Sequence, residues 1–238
     1  MRIQTLIMIV VIAVLVGVSF VLGNEYAQTQ EKIEKLEIAK QEQRAQQEID
    51  LEIERMKGYI DHLPDDYEGT GYVGWQEAKQ VSNHLYEESD GLFKKDWGLF
   101  LTLEAQKREI DPFLVYELLK VETGGKFDPE LVGPETQYGH AYGMAQFMKN
   151  TGPWIAEMAD LPYDDEMLFD PHYSIQLSVV YLDFLYQQYE DWDYALTAYH
   201  RGIYGLEQYI EDNGDAKSWY AVEIQENAET TGLVAYDQ

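Results

Sequence analysis

Two of the three Asp-Pro pairs, Asp111-Pro112 and Asp170-Pro171, each followed by an apolar helical pattern, constrain this chain more than any stretch of composition does. An aspartate can accept a hydrogen bond from the first free amides of a helix, and the following proline suits the first turn, where no N–H is needed. Each pair therefore predicts a helix start. The first predicted helix runs through Phe113, Leu114, Val115, Tyr116, Leu118 and Leu119 to Glu122, where Thr123-Gly124-Gly125 ends it. In the second, Ile175, Val179, Leu182, Tyr186 and Tyr189 recur at helical spacing, which predicts one apolar face and a central packing helix. Asp191 is placed to cap a third helix carrying Ala195, Leu196, Ala198 and Tyr199 and stopping near Gly202. Apolar positions from Trp75 to about Glu88 and from Trp97 to Arg108 predict two more. Strand signals are scarce: only the Gly- and Pro-rich span 126–141 suits a short hairpin. The tail after Gly214 is acidic and has no clear period, which leaves a final helix and disorder both open.

Upstream of this helical part the chain changes character. Leu6 to Gly23 is apolar apart from Ser19, and with Ile3 to Thr5 it reaches the roughly 20 residues that a helix needs to span a bilayer. Arg2 precedes it while Asn24 and Glu25 follow, so the N-terminus is expected inside and the remainder outside. A cleaved signal peptide is the competing reading, and either one sends the rest of the chain across the membrane. Residues 25–62 are charged, rich in Glu, Gln, Lys and Ala, and read as a long exposed helix. Ile49, Ile53, Met56, Ile60 and Leu63 alternate at four- and three-residue spacing, enough for a short coiled-coil seam and self-association or a protein partner; a solvated spacer is the plainer reading. The organisation expected is thus a membrane anchor (1–24), a helical spacer (25–62), a lead-in (63–94), a helical domain (95–212) and an acidic tail (213–238).

Composition narrows the function. The formal charge of −27 argues against nucleic acid or anionic lipid as partners, since both would be repelled. The chain has no cysteine, which removes disulfides, thiolate nucleophiles and thiolate metal sites. His62, His84, His140, His172 and His200 show no close ligand spacing, so neither a metal nor another cofactor is expected.

Glu122 is the residue with chemical promise. A carboxyl at a helix C-terminus meets the negative end of the macrodipole, which favours the protonated form that a general acid needs. After it come Gly143-Met144-Ala145-Gln146-Phe147 and then Ala198-Tyr199-His200-Arg201-Gly202. Three segments in this order resemble the soluble lytic transglycosylase family of lysozyme-like enzymes, which cleave the glycan strands of peptidoglycan. The resemblance covers about residues 95–212. It implies a mostly α, lysozyme-like domain with at most a short β-hairpin, and it implies that Glu122 delivers a proton to the bond between N-acetylmuramic acid and N-acetylglucosamine.

The family's acid is followed by Ser, its second motif reads Gly-Leu-Met-Gln and its third Ala-Tyr-Asn. Here Thr123 keeps the hydroxyl and Gln146 keeps the amide, while Met144-Ala145 shifts volume within apolar chemistry. By resemblance Tyr199 sits beside the acid and orients it. His200 departs from the family's Asn; a substrate-facing role and a helix-end histidine meeting carbonyls both stand. Thr123, Met144, Gln146, Tyr199 and His200 are accordingly the expected substrate contacts.

The outcome of cleavage turns on a second carboxylate. A muramidase that hydrolyses the bond needs one, for which Asp128, Glu130 and Glu135 between the first two motifs are candidates. A lytic transglycosylase needs none, because the same Glu takes a proton from the muramic acid 6-hydroxyl as it closes to an anhydro sugar. A wall-binding or scaffold protein without turnover is the reading from a different class. The expected place of action is the outer side of the cell membrane, facing the wall.

Overall fold

The computed structural model describes residues 75–236 continuously and a set of positions between 26 and 58, every one of which is helical. The chain separates into two units, residues 1–51 and 52–238. No helix among the described residues is long and apolar enough to cross a membrane, and the apolar run Leu6–Gly23 lies outside them. Of the expected seam, Ile49, Ile53, Ile60 and Leu63 lie outside them too. Met56 is described and is buried, packing into the core of the second unit, where a free coiled-coil seam would have left it available to a partner.

The second unit is mostly α-helical, as expected. From residue 75 onward its helices are α1 (Trp75–Glu88), α2 (Lys95–Lys107), α3 (Pro112–Glu122), α4 (Gly152–Met158), α5 (Pro171–Tyr189), α6 (Trp192–Asn213) and α7 (Trp219–Tyr236), with a 3₁₀ turn at Asp165–Phe169. The aspartates act as the sequence predicts. Asp111 accepts from the Phe113 amide, Asp170 from that of Tyr173, and Asp191 from those of Asp193 and Tyr194. Each satisfies donors that a helix start would otherwise leave free.

Helix α5 is the centre of the unit and packs against α2, α4 and α6. It buries Ile175, Val179 and Leu182, but also Ser174, Gln176, Leu177 and Ser178 on its other sides. Tyr186, expected on the buried face, is exposed and stacks on Trp192 at 4.3 Å between ring centroids. A helix surrounded by neighbours needs no single apolar stripe, so the period seen in sequence understated its burial. Between α1 and α2 the approach is close: a Cβ on Gly98 would lie 3.0 Å from the Ser82 backbone. An aromatic cluster of Phe93, Tyr116 and Phe127, with centroids 5.0–5.2 Å apart, joins the loop before α2 to α3 and to the turn after it.

The hairpin is present but displaced. Strand β1 (Ala141–Tyr142) pairs antiparallel with β2 (Phe147–Met148), Ala141 opposite Met148 and Tyr142 opposite Phe147. The span 126–141 contributes only the isolated bridges Val132–Tyr142 and Thr136–Gly139. The hairpin's turn is therefore the second motif itself. Gly143 has φ 71°, and a Cβ there would fall 1.8 Å from the Leu168 carbonyl oxygen, so no other residue fits.

The acidic tail is resolved in favour of a helix. Gly214, at φ 87°, ends α6, and α7 then runs back against α3 and α6. Thr197 fastens the junction, donating to the Ala216 carbonyl at 2.7 Å and lying 2.6 Å from the Ser218 hydroxyl. Tyr220, Ile224, Ala228, Thr231 and Ala235 form the buried face of α7.

Candidate active site

Glu122 is the last residue of α3 and opens on a cleft of about 470 Å³. The hairpin supplies one wall through Ala141, Gln146, Phe147 and Met148; α6 supplies the other through Tyr199, His200, Arg201 and Gly202; Tyr181 of α5 completes it. The three sequence motifs thus converge on one cavity. Among the described residues that line it, Glu122 is the only carboxylate.

Two influences act on that carboxyl. Burial, the larger, penalises the anion, while a hydrogen bond from the Tyr220 hydroxyl to Oε1 at 2.6 Å favours it; the result is a pKa pushed up to about 7. Glu122 therefore changes charge near neutrality, which suits a group that must both give and take a proton.

The phenol that hydrogen-bonds Glu122 belongs to Tyr220, on α7; Tyr199 lies near enough to the acid to feel its charge, but its hydroxyl bonds elsewhere. The Tyr199 hydroxyl donates to the Ala145 carbonyl at 3.1 Å and lies 3.3 Å from that of Ser178. It ties α6 to the hairpin turn and α5. Its ring lines the cleft, packed against Phe147 and Tyr181 at 5.5 and 5.3 Å. Burial and the nearby Glu122 charge raise its pKa well above the ordinary tyrosine value, so it stays a neutral phenol.

Thr123 and Met144 do not line the cleft. The Thr123 hydroxyl donates to the Leu119 carbonyl at 2.8 Å and accepts from the Phe127 amide at 3.0 Å. It is a helix-terminating device, and it shapes the turn that follows the acid. Met144 is fully buried beneath the hairpin turn. Gln146 does line the cleft, in a left-handed backbone conformation with φ 51°, but its Nε2 donates to the Gly143 carbonyl at 2.8 Å and, more weakly, to that of Leu131. Its amide closes the hairpin turn and leaves the oxygen as its remaining polar function.

His200 faces the cleft and lies flat on the Tyr220 ring, 4.5 Å between centroids and 6° between planes. Burial, and then the charge of Arg201, hold its pKa below the ordinary histidine value. It packs against the phenol that contacts the acid. The candidate second carboxylates are placed elsewhere: Asp128, Glu130 and Glu135 are exposed and none lines the cleft. Asp128 accepts from the Glu130 amide at 3.0 Å, a turn contact.

Sequence reasoning missed Tyr220, Tyr181 and Arg201. Arg201 lies within the third segment, which assigned it no role. Tyr220 sits on a helix whose buried face is largely alanine and threonine, so its period carries little apolar signal.

Among solved structures, an inactive mutant of the lytic transglycosylase Slt from Pseudomonas aeruginosa is similar at 18% identity over 64% of this chain and 28% of that one, with a TM-score of 0.48. The 70 kDa soluble lytic transglycosylase from Escherichia coli is similar at 18% identity over 71% of this chain and 30% of that one, with a TM-score of 0.42. A 70 kDa soluble lytic transglycosylase in complex with bulgecin A is similar at 18% identity over 70% and 29%, with a TM-score of 0.44. The chain thus spans less than a third of the length of these enzymes. No curated protein matches it. The family model of the Transglycosylase SLT domain matches residues 101–222, just over half of the chain, from within α2 to the first turn of α7. That span takes in Glu122, all three motifs and Tyr220, and the chain belongs to the Transglycosylase SLT domain family.

Proposed function

We propose that this protein is a peptidoglycan lytic transglycosylase that breaks the bond between N-acetylmuramic acid and N-acetylglucosamine and leaves a 1,6-anhydro end. The observation that carries this reading is a single cleft carboxyl, Glu122, with a pKa pushed up to about 7. Because Tyr220 donates to Oε1, Oε2 is the atom that holds the acidic proton. In the first step that proton passes to the glycosidic oxygen as the C1–O bond breaks, and positive charge develops on the muramic acid ring. The Glu122 carboxylate left behind stabilises that charge. It then takes the proton of the 6-hydroxyl while O6 bonds to C1, which returns Glu122 to its acid form. Closure within one sugar gains from high effective molarity, so no water need be activated. Tyr220 offsets the cost of the buried anion between the two steps.

Hydrolysis would require a second carboxylate at the broken bond, and Asp128, Glu130 and Glu135 lie on exposed loop. A binder without turnover would have no use for an acid held at this pKa. Thr136, Tyr138, Asn150 and Thr151 at the cleft edge, with Tyr181, offer polar and aromatic surface suited to sugar faces. In this reading the apolar run Leu6–Gly23 tethers the domain outside the membrane, and residues 25–62 set its distance from the surface. Mass analysis of digested peptidoglycan tests the reaction: anhydro ends support transfer, reducing ends would make the protein a muramidase, and undigested glycan would leave only binding.

A further inference from the structure

The cleft holds a permanent charge that the chemistry above does not use. Its ionisable lining groups other than phenols are Glu122, His200 and Arg201. The first has a pKa pushed up to about 7, so in slightly acid solution it is largely neutral and the arginine's charge is not cancelled within the cleft; the second is held below its ordinary value. This is a cationic spot in a chain of charge −27. Lys107, Arg108, Lys120 and Lys149 are each paired with a carboxylate, whereas Arg201 has no ion pair among the described residues.

Its position is nevertheless built. Helix α6 breaks at Gly202, with φ 75° and ψ 162°, which only glycine adopts easily. Beyond the break Tyr209 returns beneath Arg201, whose guanidinium carbon lies 4.7 Å from the ring centroid. Tyr209 in turn donates to the Lys217 carbonyl at 3.3 Å. A guanidinium supported on a ring keeps its in-plane N–H donors for a planar acceptor, and its ordering is already partly achieved before binding.

We propose that Arg201 binds a carboxylate on the lactyl side of the muramic acid unit, so that the cleft selects acidic over neutral glycan. This rests on the glycan-cleaving reading and names its substrate class. The carboxylate has two possible sources, the lactyl group itself on peptide-stripped strands or an acidic residue of the attached peptide. Attraction at this point also counters the repulsion that so acidic a protein exerts on an anionic wall.

The test compares the full chain with Arg201→Gln and Arg201→Lys on three glycans: peptide-bearing strands, stripped strands, and stripped strands whose lactyl carboxylates have been converted to methylamides. The expected wild-type kcat/KM is about tenfold higher on an acidic form than on the methylamide, the size of one charged hydrogen bond near a surface. Preference for stripped strands identifies the lactyl group; preference confined to peptide-bearing strands identifies the peptide. Arg201→Gln should bring the ratio close to one, mainly through KM, Arg201→Lys should restore part of it, and added salt should shrink the wild-type ratio. An equal loss on methylamide and acidic glycan would mean that Arg201 only packs on Tyr209, and an unchanged ratio in Arg201→Gln, or none in the wild type, would also overturn the assignment. If the wild type cleaves none of the three, the reaction proposed above fails separately. Calorimetric binding of the same glycans by the wild type and Arg201→Gln then still decides the role of Arg201.

Discussion

Helix α3 carries two carboxylates, five residues apart, that are treated in opposite ways. Glu117 is fully buried, yet it accepts from the Thr231 hydroxyl at 2.9 Å and from Lys120 at 3.3 Å. Lys120 also binds Glu88 at 2.7 Å, and Glu88 accepts from Tyr116. Glu122 faces a cavity and has one neutral phenol. Burial raises both pKa values, but at Glu117 the charge of Lys120 pulls back, whereas at Glu122 no cation is among the causes. Both partners come from α7: Thr231 reaches Glu117 and Tyr220 reaches Glu122, so the two helices run antiparallel along this contact. Glu117, beside the Lys120 charge, fastens α3 to α7 through Thr231, whereas Glu122, with no cation beside it, has its pKa pushed up to about 7. The same helix pair thus supplies both the clamp and the acid that the clamp positions.

The largest effect expected is at the acid. Glu122→Gln keeps the shape and removes the proton, and should lower kcat on peptidoglycan by at least about a thousandfold while glycan binding persists. Turnover within tenfold of the wild type would break the contrast at once. At the clamp, Glu117→Ala should cost about 3 kcal/mol in denaturant unfolding, because it leaves a cavity at the helix contact and takes the acceptor from Thr231. Glu117→Gln should cost less, since an amide oxygen still accepts from Thr231. Neither substitution should move the alkaline limb of the pH–rate profile of the folded protein. A shift of that limb in Glu117→Gln would show that the two carboxylates are not separate.

The acid also has a cost that stability can report. In the unfolded chain Glu122 titrates near its ordinary value of 4.5, and in the folded protein near 7. A raised folded pKa means that its contribution is most favourable below the unfolded value and is lost as pH rises through the folded one. The wild type should therefore weaken by about 3 kcal/mol relative to Glu122→Gln between pH 4.5 and pH 8. Parallel stability profiles for the two proteins would mean that Glu122 is ionised like a surface residue.

The contrast on α3 also separates what was legible in the sequence from what was not. Asp111, Asp170 and Asp191 could be read because capping is local: the side chain bonds to amides two or three residues away. Glu122 could be read because a glycine pair marks the helix end beside it. Gln146, Tyr199 and His200 line the cleft, yet what their polar atoms bond to depends on contacts across the fold. Thr123 turned inward to its own helix, and Met144 went under the hairpin, because a turn with φ 71° at Gly143 reverses the chain there. Tyr220 is 98 residues from its partner, on a helix whose inner face is small enough to pack closely on α3 and too weakly apolar to announce itself. The hairpin was misplaced for a related reason, since its strands are two residues each and a turn motif, not strand propensity, specifies them.

Tyr220→Phe probes the smallest term. The hydroxyl donates to Oε1 and favours the anion, so its loss should raise the Glu122 pKa further, moving the alkaline limb upward from about pH 7 by roughly 0.5–1 unit. Below that limb the acid is protonated in both proteins. There kcat should fall by less than about tenfold, the share of the buried anion's stabilisation that one neutral hydrogen bond supplies. His200 stacks on this ring, and phenylalanine keeps that face, so the packing of the cleft should persist in the variant. A downward shift of the limb would mean that the phenol holds Glu122 in its neutral form. The proton would then sit on Oε1, toward Tyr220, and Oε2 could not deliver it to the sugar. The pH dependence of this one variant therefore decides which oxygen of the carboxyl is the acid.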